Sequence, residues 1–255
     1  MLPTPDTSHV PYTRVYEPSE DSFLLLDTLS SPSETTFLHT RFPPSSQAHP
    51  TLILEVGPGS GVVIAFLTAN APSLFKHSNV LALAVDVNRF ACSSTATTVR
   101  KAARESANSP GGSGLWLDAV QGDLVAPLRW GEVDVLVFNP PYVPTESLPA
   151  ITPRGQGGEE EQEGKFEEES RLLELAYAGG KDGMETTDRL LEALPDVLSG
   201  RGVAYVLLCA GNRPEEVKER IRCWEGGVWR AETVGTRGRQ AGWERLQIVR
   251  IWRKV

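Results

Sequence analysis

Thr51-Leu52-Ile53-Leu54-Glu55-Val56-Gly57-Pro58-Gly59-Ser60-Gly61 reads as a short buried strand that runs directly into a glycine turn. The first six residues form the largely apolar run that a strand covered on both faces requires. The alternate glycines permit positive φ and let backbone approach a ligand. Val62 to Ala69 continues as a helix, so the stretch is a strand–turn–helix unit. The alternation recurs downstream. Val80 to Val85, Leu115 to Val120 and Val133 to Phe138 read as strands, with a helix from Arg89 to Arg104 between the first two. Met184 to Leu198 is a helix in which Leu190, Leu191, Leu194 and Leu198 repeat at three and four. Gly202 opens a strand through Val203 to Cys209, and Pro214 to Cys223 is a charged helix. Gly227 to Val234 and Arg245 to Trp252 are strands without a helix between them, which implies an antiparallel hairpin. Five strand–helix steps and this hairpin predict an α/β, Rossmann-like fold: a seven-stranded, mostly parallel sheet with helices on both faces.

Three stretches read as loops or insertions. Ser30 to Pro50 is rich in Ser, Thr and Pro, and Ser106 to Gly114 in Gly and Ser. Pro153 to Glu169 carries seven Glu and one Lys between 159 and 169. Such composition does not supply a core face. The 255 residues are expected to form one domain, with 12–50 as an N-terminal covering segment and loop and 153–170 as an acidic low-complexity insertion.

In doubly wound sheets, ligands sit beyond the carboxyl ends of the strands, where this glycine turn lies. A dinucleotide fingerprint would need glycine at 62, but Val62 stands there. The pattern is G-x-G-x-G (Gly57, Gly59, Gly61) with Glu55 two residues before it, which resembles motif I of class I methyltransferases. That resemblance implies S-adenosyl-L-methionine as cofactor and S-adenosyl-L-homocysteine as product. Asp86 ends the second strand, where a carboxylate can accept from both ribose hydroxyls. Asp123 follows the third, where it can accept from an adenine amino group while the Leu124 N–H meets a ring nitrogen.

Val135 to Phe138 leads into Asn139-Pro140-Pro141-Tyr142. Successive prolines after a buried strand fix the backbone and leave carbonyls that cannot pair locally. Two acceptors result, the Asn139 side-chain oxygen and the Pro140 carbonyl, able to grip both hydrogens of one planar –NH2. The grip localises a lone pair otherwise delocalised into the π system and aims it at an electrophile. Tyr142 is expected to pack over the planar group.

This element is similar to that of HemK-type protein glutamine methyltransferases and of amino-group DNA adenine methyltransferases. Tyr16-Glu17-Pro18-Ser19-Glu20-Asp21-Ser22, Ala176 to Gly180 with Asp182-Gly183 and Asp188-Arg189, and Arg239 to Glu244 resemble the eukaryotic and archaeal class 1 translation release factor methyltransferases. The resemblance implies methylation of the glutamine in the Gly-Gly-Gln loop of the release factor, alone or with its GTPase partner, in cytoplasm and nucleus. It implies Ser22 near the methionine end of the cofactor. It also implies a small zinc-binding activator subunit added along an exposed sheet edge. The third strand, with Leu115, Trp116 and Leu117, is more apolar than an unprotected edge should be and is the expected interface.

Composition narrows the field. No apolar stretch is long enough to span a membrane, and a charge of −8 opposes general nucleic-acid binding. Cys92, Cys209 and Cys223 form no C-x-x-C pair and the four histidines stand apart, so neither a disulfide framework nor a resident metal is expected. Adenine amino-group methylation remains the alternative, although residues 213–255 hold only eleven Lys/Arg against six Asp/Glu. Lysine methylation would need a base that is not evident, and a non-catalytic scaffold would not need Asn139.

Overall fold

A computed structural model describes residues 2–44, 49–107, 111–149, 163–238 and 245–254. Its sheet is ordered β3-β2-β1-β4-β5-β7-β6, with β1 Thr51–Val56, β2 Val80–Asp86, β3 Leu115–Gln121, β4 Val133–Phe138, β5 Leu198–Cys209, β6 Trp229–Arg237 and β7 Leu246–Arg253. The first five pair in parallel; β7 runs antiparallel to both β5 and β6. Chain order reverses between β1 and β4, leaving a crevice at their carboxyl ends.

Alternation along the central strands sends side chains to opposite faces. Ile53, Val135, Val137 and Leu207 join one core with helices α1 (Glu20–Leu29), α3 (Val62–Ala69) and α5 (Arg89–Ser106). Leu54, Leu136, Val206 and Leu208 join the other, under α7 (Glu185–Val197) and α8 (Pro214–Arg222). The α7 triad Leu190, Leu191 and Leu194 is fully buried there, contributing about 1.5–3 kcal/mol apiece. A short helix α4 (Ala71–Phe75) follows α3, and β5 begins at Leu198 rather than Gly202.

Two expected loops are partly helical. Within 30–50, α2 spans Pro32–Arg41. Ser31 Oγ accepts from the Glu34 N–H and Pro32 sits in the first turn, a proper helix start. Glu34, Leu38 and Phe42, spaced by four, are buried, while Thr35, Thr36 and Thr40 turn their hydroxyls back to carbonyls four residues earlier. Arg250 Nη1 donates to both Glu34 oxygens (2.9 and 3.0 Å), and the Tyr205 hydroxyl donates at 2.9 Å. The second is α6, Glu163–Tyr177, which takes in the end of the acidic stretch; residues 150–162 lie outside the described residues. So do 45–48, 108–110 and the hairpin turn 239–244. Ser19 occupies the N-cap of α1, but its side chain makes no capping bond.

β3 is an edge of the sheet, and Leu115, Leu117 and Val120 are exposed along it. No helix among the described residues is long and apolar enough to cross a membrane, and no described group of His, Cys, Asp or Glu could hold a metal ion.

Candidate active site

The turn after β1 is built as its glycines require. Gly57, Gly59 and Gly61 all have positive φ, and a Cβ on Gly61 would stand 2.6 Å from the Thr95 Cα of α5. Gly61 is also the N-cap of α3 and has no side chain to offer it. Glu55 fills that role from the strand, accepting the Ile64 N–H at 2.7 Å. Its carboxyl is pushed up to about 8, chiefly by burial, against the stabilising amide and with Asp86 adding repulsion. Asp86 Oδ1 accepts from the Asn88 N–H (2.8 Å) and Oδ2 from the Gly59 N–H (3.3 Å). Burial outweighs both bonds and raises it to about 6.

These groups line one cavity at the crevice, with about 1210 Å3 of non-atomic space partly open to solvent. Ser22, Glu55, Gly57, Gly59, Asp86, Asp123, Leu124 and Asn139 are all on its wall. Gly61 is not; it sits one step behind, where α5 packs. Ser22 is buried and gives both its N–H and its hydroxyl to Asp21 Oδ1. Asp123 accepts from Arg189 at 2.5 Å, and Leu124 adopts φ 50°. Leu148, Leu172 and Leu175 give the cavity an apolar side.

Asn139 Oδ1 is buried and has no hydrogen-bond partner. An unpaired acceptor of this kind costs about 1–3 kcal/mol, which a ligand donor would recover. Pro141 shares the cavity wall, whereas Pro140 is buried off it. Tyr142 also lies off the wall, packed against the α1–α3 core, and burial followed by Asp21 holds its hydroxyl well above the usual tyrosine range.

The backbone of this turn is clamped from behind. The Val143 N–H donates to Tyr177 O and the Gly179 N–H to Val143 O. A Cβ on Gly183, at φ 68°, would stand 2.1 Å from the Tyr142 carbonyl oxygen. Asn212, in a turn after β5, donates from Nδ2 to the carbonyls of Tyr142, Asp182 and Gly183, and its Oδ1 accepts from the Cys209 N–H. Sequence reading placed the glycines nearby but missed Asn212, Arg189, Asp21 and Tyr16 as parts of the site. The pairing of Asp123 with Arg189 and the grip of Asn212 are both tertiary contacts with no local pattern.

A sheet of this order, with a glycine turn, an acidic strand end and an Asn-Pro-Pro-Tyr turn around its crevice, defines a class I methyltransferase. No family model matches the chain. It is 34% identical over 258 residues to Methyltransferase HEMK2 of Mus musculus, covering 98% of this chain and 96% of that one. It is 33% identical over 263 residues to the eRF1 methyltransferase catalytic subunit mtq2 of Schizosaccharomyces pombe, covering 99% and 96%. A putative protein N5-glutamine methyltransferase of Methanocaldococcus jannaschii is 29% identical over 83% of this chain and 80% of its own. The chain belongs to the HemK-type family of eukaryotic release factor methyltransferases.

Proposed function

We propose that this chain transfers a methyl group from S-adenosyl-L-methionine to the side-chain amide nitrogen of the glutamine in the Gly-Gly-Gln loop of a class 1 translation release factor. The observation that carries the reading is the Asn139 oxygen, buried and unpartnered on the wall of a cavity built at the sheet's switch point. Relatives named for eRF1 and for protein N5-glutamine support the substrate class.

The residues present fit the cofactor. Asp86 would take the ribose hydroxyls, Asp123 and the Leu124 N–H the adenine, and Gly57 and Gly59 the backbone approach. Gly61 would hold the turn's shape. Two carboxyls with raised pKa, the buried Glu55 and the half-buried Asp86, favour a ligand that brings positive charge and hydroxyl donors. Ser22 stands on the same wall for the methionine end. When bound, S-adenosyl-L-methionine supplies an electrophilic methyl on a sulfonium.

The protein's part is to present the nucleophile. Asn139 accepts one amide hydrogen and the Pro140 carbonyl the other, turning the nitrogen lone pair out of conjugation. Pro141 limits the turn's freedom, and Tyr142 braces it from the core side. The apolar side at Leu148, Leu172 and Leu175 excludes water that would compete for the grip. No strong base is needed, because the methylated nitrogen is acidic and loses its proton to solvent. Replacing Asn139→Ala should lower turnover by roughly 100-fold or more while S-adenosyl-L-homocysteine still binds; turnover within threefold of the parent would reject the mechanism.

The partner in this reading is a small zinc-binding activator subunit along β3, where Leu115 and Leu117 are exposed and Trp116 is half-buried. An edge this apolar templates association unless it is covered. An enzyme of a translation factor acts in the cytoplasm, and in the nucleus as well. The start of the 12–50 segment serves as the cofactor's cover, since Val15, Tyr16, Asp21 and Ser22 line the cavity.

A further inference from the structure

Helix α6 turns its apolar face to the cavity and not to a core. Leu172, Leu175 and Ala176 are three and four residues apart, so they share one side of the helix, and all three line the cavity. None of them joins the clusters on either face of the sheet. A face turned to a cavity wall gives less hold than one packed into a core, so the set of α6 depends on how its ends are fastened.

At its C-terminal end the fastening is backbone. The Val143 N–H donates to Tyr177 O at 3.0 Å and the Gly179 N–H to Val143 O at 2.8 Å, one residue beyond the Asn-Pro-Pro-Tyr turn. Toward the other end an ion pair holds it: Glu169, one turn before Leu172, accepts from Arg14 Nε at 2.7 Å. The two side chains are 33% and 29% exposed. Exposed pairs ordinarily contribute little, because two long side chains must be ordered to form them. Here Arg14 is ordered by other contacts. Its carbonyl accepts from Asn88 Nδ2 at 2.7 Å, and its guanidinium lies 4.6 Å from the centre of the Phe90 ring. Val15 beside it is buried with Val10 and Ala91. Val15, Tyr16 and Leu172 line the cavity, whereas Arg14 and Glu169 do not. The pair thus joins two parts of the wall without belonging to it.

We propose that Arg14 and Glu169 are positioning residues: their pair fastens α6 to the N-terminal strap and holds Leu172 and Leu175 as a closed wall over the bound cofactor. Release of the cofactor product then requires the pair to part, while the backbone bonds at Val143 stay made and act as the hinge. The last glutamate of the acidic stretch gains a task in this way that composition does not reveal. The proposal rests on the cofactor reading above and adds how that site is kept shut.

The test uses the full chain as parent, Arg14→Ala, Glu169→Ala and the double variant, with two readouts. The first is release of S-adenosyl-L-homocysteine, measured by surface plasmon resonance on the immobilised chain. Each single change should speed release about three- to fivefold. The double variant should release no faster than the faster single, since either change alone already parts the pair. Raising salt from about 0.05 to 0.5 M should speed release from the parent and not from the double variant. The second readout is amide hydrogen exchange over residues 172–177 in the unliganded chain, which should quicken in both singles with the melting temperature unchanged. Release and exchange that match the parent in both singles, effects that multiply in the double variant, or equal salt dependence in parent and double would each overturn the proposal. If the parent binds no S-adenosyl-L-homocysteine, the cofactor reading falls, and hydrogen exchange still decides whether the pair fastens α6.

Discussion

Gly183→Ala offers a perturbation whose size can be worked from geometry. Gly183 has φ 68°, and its added Cβ would stand 2.1 Å from the Tyr142 carbonyl oxygen, where real contacts essentially never fall under 3.0 Å. The two groups must part by about 0.9 Å (3.0 against 2.1). The oxygen is backbone and is bonded by Asn212, so no flexible side chain absorbs the shift. Left-handed backbone adds roughly 1–2 kcal/mol. At about 2–4 °C per kcal/mol for a chain of this size, the melting temperature should fall by roughly 2–8 °C. The larger effect is on chemistry. Tyr142 is three residues from Asn139, and a displacement near 1 Å costs about 100-fold in rate. Gly183 does not line the cavity, so S-adenosyl-L-homocysteine affinity should hold within about twofold. The assay is turnover on release factor well below the melt, with calorimetry on the same protein. Gly200→Ala is the control, because its Cβ would meet nothing within 4 Å. Turnover in Gly183→Ala within about threefold of the parent, despite the lowered melt, would refute the clamp.

Three further expectations follow from charge and exposure. The Glu55 carboxyl is raised to about 8 and Asp86 to about 6, so their contribution to apo stability is full below the unfolded carboxylate range and is lost as pH rises through those values. A ligand ammonium reverses the preference: S-adenosyl-L-homocysteine should bind more tightly from about pH 6 to 8 with proton release, and Glu55→Gln should flatten the profile in calorimetry. An equally flat parent profile would contradict this. Arg189 and Asp123 are 47% and 40% exposed, so their pair is worth about 0.2–1 kcal/mol. Arg189→Ala should weaken cofactor-product binding no more than about fivefold, and a loss beyond tenfold would mean that Arg189 touches the ligand itself. Leu117 is 45% exposed, so Leu117→Asp should leave the melting temperature of the chain alone unchanged and abolish co-purification with the proposed zinc-binding subunit. Retained co-purification would reject β3 as the interface.

What could be read in the sequence was what is local. The run Thr51–Val56, its glycine turn and the helix Val62–Ala69 fall where expected, because strand burial, turn chemistry and helix period all act within a few residues. Asp86 and Asn139 were found for a related reason: each stands at the carboxyl end of a strand whose apolar run is plain. α2 was hidden because its buried face is one Glu, one Leu and the following Phe42. Glu34 becomes a core residue only through Arg250 and Tyr205, far away in the chain. Asp21 carries a local signal only as an acid in the first turn of α1, and that signal does not reveal the Tyr16 hydroxyl bonded to it. Asn212 carried no signal beyond being polar after a buried strand, since its purpose lies in carbonyls contributed by two other segments.

The central claim is methyl transfer to a glutamine amide gripped by Asn139. Its most direct measurement is mass spectrometry of the release factor's Gly-Gly-Gln peptide after incubation with S-adenosyl-L-methionine and the enzyme co-expressed with the proposed zinc-binding subunit. Asn139→Ala enzyme, and release factor with that glutamine replaced, serve as controls. One added methyl is expected on the loop glutamine, present with the parent enzyme and lost in both controls. A methyl that persists with Asn139→Ala, or that appears on adenine-containing nucleic acid and not on the glutamine, would contradict it.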